Sequence, residues 1–155
     1  MSELRFADVA VSSVMNTELP LVEKGASVCK VARMLQRASH VWVVEECGSR
    51  VVLGIVTEHE FMDLLSPIPE GEYATGVIKP RSLYLGELRT AEEFMSRPVV
   101  GCSPETKVEE ALELLRERDI RRLAVVEGGE IVGELSPEGV IAAYYISSCS
   151  LRDSS

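Results

Sequence analysis

Apolar and polar residues follow one pattern along this chain, and the pattern runs twice. Val28, Val31, Ala32 and Leu35 fall at i, i+3, i+4 and i+7, the spacing of one helix face. Val108, Ala111, Leu112 and Leu115 repeat that spacing at an offset of 80 residues. Two apolar runs of strand length follow each set. They are Val41-Trp42-Val43-Val44 and Val52-Leu53-Gly54-Ile55-Val56-Thr57 in the first copy. In the second they are Leu123-Ala124-Val125-Val126 and Ile131-Val132-Gly133-Glu134-Leu135-Ser136. A closing helix is expected in each copy, over Glu58 to Leu65 and over Pro137 to Ser147. Ahead of each unit, Thr17 to Val22 and Arg97 to Cys102 read as a turn entering a short strand. Val14-Met15 and Phe94-Met95 precede them, again 80 apart.

Local signals sharpen these boundaries. Thr106-x-x-Glu109 reads as a capping box opening the second copy's first helix. Glu127-Gly128-Gly129-Glu130 suits a tight hairpin, because two adjacent glycines tolerate the left-handed backbone that such a turn requires. Each copy therefore reads β-α-β-β-α, a mixed α/β (α+β) unit of about 55 residues, too small alone for a generous core. The organisation expected is a first unit at 7–65, a connecting loop at 66–89 rich in Pro and Gly, and a second unit at 90–147. The polar tail from Ser147 to Ser155 is expected to fray.

Composition narrows the class. At 155 residues, with 46% apolar and 26% charged, the chain has the mix of a globular protein. Its 25 acidic against 16 basic residues give a net charge of −9, which argues against general nucleic-acid binding. No apolar run approaches the roughly 20 residues of a membrane span. Met1-Ser2-Glu3-Leu4-Arg5 does not open a signal peptide, so a cytoplasmic protein is the expectation. Cys29, Cys47, Cys102 and Cys149 form no C-x-x-C pair, and His40 and His59 sit on separate elements. No metal site, nucleophile triad or phosphate loop is visible. Nothing supports an enzyme.

The element order, together with Gly54-Ile55-Val56-Thr57-Glu58-His59-Glu60, resembles the CBS domain, named after cystathionine β-synthase. Ile120 to Val126 followed by Gly133-Glu134-Leu135-Ser136 resembles it a second time. The resemblance implies a tandem pair packed about a pseudo-twofold axis. It implies clefts between the copies that bind adenosine derivatives such as AMP, ATP or S-adenosylmethionine. In the family's G-h-h-[ST]-x-x-[DN] motif, the hydroxyl residue meets phosphate or ribose oxygens at a helix start, and the acid accepts from the ribose hydroxyls.

Carried residue by residue, Thr57 and Ser136 take the hydroxyl positions. At the acidic position the chain departs from the motif, with Glu60 in the first copy and Gly139 in the second. One competent adenosyl site at Thr57 and Glu60, or none, is the resulting expectation. Arg121 and Arg122, just before a strand, suit a phosphate, or else form a solvated surface pair or ion pairs with the acidic helix Glu109 to Glu117. His40 borders the cleft or an edge. Leu19, Pro20, Val99 and Val100 lie where the family's adenine stacks, or in the core. Trp42 is core or a dimer anchor. Thr57 with Glu60 also reads as a plain capping box, and Ser136-Pro137 as a plain helix start.

Two functions remain open from the sequence. One is a non-enzymatic sensor that binds an adenosine-type ligand and acts on a regulated protein. The other is a ligand-free dimerisation or scaffold module contacting a protein partner. A homodimer through the closing helices, with Ile141, Ala142, Tyr145 and Ile146 as its apolar stripe, is implied by the family. No resident cofactor, nucleic acid or membrane partner is expected.

Overall fold

The computed structural model describes residues 4–66 and 89–149. The connecting loop expected over 66–89 therefore lies outside the described residues, apart from its two ends. The described chain divides into two compact units, each built on a three-stranded sheet.

The first-sheet unit spans Pro20–Val99. Strand β1 (Leu21–Glu23) pairs in parallel with β2 (His40–Val44) across helix α1 (Val28–Leu35), and β2 pairs antiparallel with β3 (Val52–Thr57). Ser27 caps α1 by accepting from the Lys30 amide at 3.2 Å. Helix α2 (Glu58–Leu65) follows β3 without a break, and the short α3 (Ala91–Phe94) packs beside it. Val22, Val31, Val41, Val43, Val56 and Ala91 are buried in the core on the helical side of the sheet. The opposite strand positions carry His40, Trp42 and Val44, which are buried as well. Trp42 is only 1% exposed, so the single tryptophan is a buried residue rather than an exposed anchor.

The second-sheet unit combines Met1–Leu19 with Val100–Ser155. Strands β4 (Gly101–Cys102) and β5 (Leu123–Glu127) are parallel across helix α4 (Val108–Glu117), and β6 (Glu130–Leu135) is antiparallel to β5. Gly128 and Gly129 both have positive φ, as the two-residue turn between Glu127 and Glu130 requires. Val108, Ala111, Leu115, Leu123, Val125 and Leu135 form its core, together with Val9 and Val11. Helix α5 (Pro137–Tyr144) closes the unit and runs into a π-helical turn at Tyr145–Cys149. The closing α-helix is thus shorter than expected; residues 147–149 of the tail expected to fray are helical, and residues 150–155 lie outside the described residues.

One expected cap does not form. Helix α4 starts a residue late, with Lys107 at the N-cap and no side-chain cap bond. Thr106 instead accepts from the Ser103 amide at 3.1 Å. The cause is tertiary: the Val11 amide donates to the Thr106 carbonyl at 2.8 Å, and Lys107 bridges Ala10.

Each sheet is completed by the segment that leads the other copy in sequence. Ser96 bridges Ile55 at the free edge of β3, with bonds of 3.1 and 2.8 Å. Asn16 bridges Glu134 at the free edge of β6, with bonds of 2.8 and 2.9 Å. Glycine is required beneath both bridges. A Cβ on Gly54 would lie 2.6 Å from Met95 Sδ and 2.7 Å from the Ser96 carbonyl oxygen. A Cβ on Gly133 would lie 2.5 Å from Met15 Sδ. The repeated methionines and the repeated glycines are two halves of one contact.

Candidate functional site

In the first-sheet unit, β3 ends at Thr57 and α2 begins at Glu58, so Thr57 holds an extended backbone with its side chain at the helix start. Its hydroxyl accepts from the His59 amide at 3.1 Å, and the Glu60 carboxylate accepts from the Thr57 amide at 2.8 Å. The Thr57 hydroxyl also donates to Glu60 Oε2. The capping box read from the sequence is formed. Burial pushes the Glu60 carboxyl up, but hydrogen bonds outweigh it and hold the group below the ordinary glutamate value. Their donors are the Thr57 hydroxyl, the Thr57 amide, its own amide and the Ser96 side chain.

Glu60 opens onto a groove of about 390 Å³. His59, Asp63, Arg89, Glu93 and Ser96 supply its polar wall, and Leu64, Phe94 and Met95 its apolar floor. Arg89 reaches Glu93 at 3.9 Å. His40 lies opposite Thr57 in the β2–β3 register, with its Nδ1 3.1 Å from Ser39 Oγ and its ring edge-on to Trp42. The Pro20 carbonyl accepts from the Trp42 amide at 2.8 Å. Pro20 and Val99 are partly buried.

The second-sheet unit places the matching residues differently. Ser136 is the N-cap of α5 with Pro137 at N1, yet its hydroxyl makes no cap bond to the helix backbone. Glu138 is held below its usual range, first by its own amide, then by the Ser136 hydroxyl, with the charge of Arg122 contributing. Arg122 is therefore electrostatically tied to the start of α5, while Arg121 is exposed. The Val100 carbonyl accepts from the Ala124 amide at 3.2 Å, matching Pro20 in the first unit, and Leu19 is partly buried.

Gly139 is packed from above. A Cβ there would stand 2.8 Å from Leu135 Cδ1 and 2.9 Å from the Val14 carbonyl oxygen. The absent carboxylate of the second copy is thus a position filled by backbone. Beside it, Glu134 is 3% exposed and accepts from Asn16 Nδ2 at 3.3 Å.

The groove brings together only Glu60 among the residues singled out from the sequence. Ser96, Arg89 and Glu93, which share it, follow or adjoin the connecting segment and carry no motif. The repeat offset that matches Ser96 to Asn16 was the one signal that could have marked them. Among the described residues no group of three His, Cys, Asp or Glu side chains is placed to hold a metal ion. No helix among them is long and apolar enough to cross a membrane. Cys29 and Cys47 are exposed, whereas burial pushes the Cys102 thiol up to about 11.

Two three-stranded α/β units, each with a hydroxyl residue at a strand-to-helix junction, define a tandem-repeat fold of the kind the sequence resembles. The CBS-domain family model matches residues 11–67 and 91–145, and the chain belongs to the CBS-domain family. Its fold is shared with CBSX2 in complex with AMP, at 19% identity over 95% of this chain and 99% of that one, with a TM-score of 0.69. It is similar to the CBS domain of a bacterial CNNM/CorC family Mg2+ transporter in complex with ATP, at 19% identity, 89% and 88% coverage and a TM-score of 0.66. It is also similar to the CBS domain pair of protein MJ0100 in complex with 5-methylthioadenosine and S-adenosyl-L-methionine, at 18% identity, 88% and 99% coverage and a TM-score of 0.65.

Proposed function

We propose that this chain is a non-catalytic regulatory module that binds an adenosine-containing ligand, of the class of AMP, ATP or S-adenosylmethionine, and passes its occupancy to a protein partner. The observation that carries the reading is the first copy's strand-to-helix junction. There the Thr57 hydroxyl caps the helix, and the carboxylate it bonds, the ionised and partly exposed Glu60, lines a groove. A carboxylate accepts two hydrogen bonds from a vicinal diol, and a helix start favours an anion through its unpaired amides. His40 and Pro20 belong to the same unit, and we assign them to the ligand's surroundings with Val99. In the second unit Arg122 and Ser136, near the start of α5, supply a phosphate-binding pair, with Arg121, Leu19 and Val100 around them. Three similar structures hold adenosine compounds, which supports the ligand class.

A thermal-shift panel of AMP, ADP, ATP, S-adenosylmethionine and NAD tests this. A ligand that binds only the folded form at a hundred times its Kd adds about 2.7 kcal/mol of stability. No shift with any of the five at millimolar concentration would sink the reading.

A dimerisation or scaffold role has its own observation. Met62 and Leu65 on α2 are exposed, and so are Ile141 and Tyr144 at the matching positions of α5, with Ile141 67% exposed. We propose that these faces meet a second copy of the chain. Light scattering that returns a monomer mass would reject the homodimer.

A further inference from the structure

The groove beside Glu60 is acidic along its polar wall. Glu60, Asp63 and Glu93 bring three carboxylates to the lining, against a single guanidinium, that of Arg89. Arg89 is already matched, because its Nε stands 3.9 Å from Glu93 Oε2. The other oxygen of Glu93 accepts from the Thr90 hydroxyl at 3.3 Å, which holds that side chain in place beside Arg89. The opposite side is apolar, with Leu64, Phe94 and Met95 as its floor. A volume of about 390 Å³ is enough for a small molecule. The start of α2, which would ordinarily draw a phosphate, is also taken. The Thr57 hydroxyl accepts from the His59 amide at 3.1 Å, and the Glu60 carboxylate accepts from the Thr57 amide at 2.8 Å. Glu58 shares that first turn. The positive end of the helix therefore carries anions of the chain's own.

We propose, resting on the adenosine reading above, that this groove selects its adenosine compound by charge: it takes one whose 5′ carbon bears a sulfonium, as in S-adenosylmethionine, and turns away a 5′-phosphate. The ribose is the same in both, so a diol contact at Glu60 does not tell them apart. The 5′ substituent does. A phosphate monoester carries a charge of about −1.5 to −2 at pH 7. In this groove it meets three carboxylates and no guanidinium or ammonium group beyond the one Glu93 already holds. Repulsion between like charges a few ångströms apart is strong where water is partly excluded. A sulfonium reverses the sign of every one of these contacts. Its three carbon substituents also suit the apolar floor, and it brings no hydrogen-bond donor that has to be satisfied there. In S-adenosylmethionine the ammonium and carboxylate of the methionyl tail cancel, so the sulfonium sets the net charge. Phosphate binding is then left to Arg122 and Ser136 of the second unit.

The test displaces isotopically labelled S-adenosylmethionine from the full chain with unlabelled 5′-methylthioadenosine or AMP. Methylthioadenosine has no charge at its 5′ end and calibrates the adenosine contacts alone. Displacement is read, rather than binding, so that a phosphate held elsewhere on the chain does not count. At low salt, displacement of the label from wild type should need at least about tenfold more AMP than methylthioadenosine. The ratio should shrink as salt is raised, because screening weakens charge and leaves shape alone. The double variant Asp63→Asn, Glu93→Gln removes two carboxylates that do not cap α2 and releases Arg89. There the ratio should fall to about one, with the methylthioadenosine curve unmoved. The wild-type ratio and its salt dependence stand as a test without the variant. Equal displacement by AMP and methylthioadenosine in wild type, or a ratio that neither salt nor the double variant alters, overturns the charge selection and leaves the adenosine reading standing. Binding of AMP without any binding of S-adenosylmethionine does the same. A wild-type chain that binds none of the three overturns both.

Discussion

Placing a methyl group on Gly54 should break the contact that completes the first sheet. The added Cβ would stand 2.7 Å from the Ser96 carbonyl oxygen and 2.6 Å from Met95 Sδ. The sulfur lies near the end of a flexible side chain and can swing aside, but the carbonyl is backbone. It can retreat only by giving up the two bridge bonds to Ile55, at 3.1 and 2.8 Å. Each lost bond costs about 0.5–1.5 kcal/mol. Overpacking adds about 1–3 kcal/mol. The smaller unfolded-state entropy of alanine offsets about 0.4–1 kcal/mol. The net is a loss of roughly 2–4 kcal/mol for Gly54→Ala. Gly133→Ala meets Met15 Sδ at 2.5 Å, but the nearest backbone atom, the Asn16 oxygen, is at 3.2 Å. A shift of a few tenths of an ångström relieves it, so the cost is about 1 kcal/mol or less. Thermal unfolding followed through the fluorescence of Trp42, the only tryptophan, reads the first sheet directly. At about 2–4 °C per kcal/mol for a chain of this size, Gly54→Ala should lower Tm by roughly 5–15 °C and Gly133→Ala by a few degrees. Hydrogen exchange should show the Ile55 and Ser96 amides losing protection in the former. A near-neutral Gly54→Ala, or a larger loss from Gly133→Ala, would refute the assignment of these glycines to the bridges.

Thr57→Ala removes the cap of α2 and should cost about 1 kcal/mol, seen as a drop in Tm without ligand; an unchanged Tm would show that the cap carries no stability. Glu60 has a lowered carboxyl value, so its contribution is present above the ordinary glutamate range and is lost as pH falls through its folded-state value. Glu60→Gln should therefore melt earlier than wild type at pH 7, with the gap closing as the pH drops below about 4.5. A gap independent of pH would reject the charge as its cause. Gly139→Asp should destabilise the second unit and give no gain in AMP affinity, because Val14 and Leu135 occupy the space; tighter binding would contradict that geometry. In alkylation with iodoacetamide at pH 8, Cys29 and Cys47 should react well before Cys102, whose thiol burial pushes up to about 11; mass spectrometry of partly labelled protein gives the order.

What the sequence made legible was set by local forces. The two helix stripes, the four longer strands and the Gly-Gly hairpin lie where periodicity and turn chemistry put them. The cap at Thr57 was readable because donor and acceptor are three residues apart. The same rule misplaced the cap at Thr106, where residues 10 and 11 pair with 106 and 107 and shift the helix start. Long-range packing also hid the roles of Gly54, Gly133 and Gly139. Gly54 and Gly133 read as part of a family motif and Gly139 as a departure from it, yet each also meets atoms about 40 to 125 positions away in the chain. Glu134 illustrates the opposite trap. The apolar run around it says nothing of an acid's partner, yet Glu134 is buried and accepts from Asn16. The groove beside Glu60 was illegible because its second wall comes from residues 89–96, beyond the connecting segment.

The exchange of leading segments bears on how such a chain could have arisen and how it can be taken apart. Expressed alone, residues 1–66 would leave β3 without the Ser96 bridge at its edge, and residues 89–149 would leave β6 without the Asn16 bridge. A bare edge pairs with whatever extended segment it meets. One copy carrying its own leader could cover that edge by lending the leader to a second molecule and receiving the other's in return. Joining two such molecules end to end would give the exchange of leading segments found within this one chain. The two fragments, mixed after separate synthesis, are therefore expected to rescue each other, while neither is expected to fold as a well-behaved monomer.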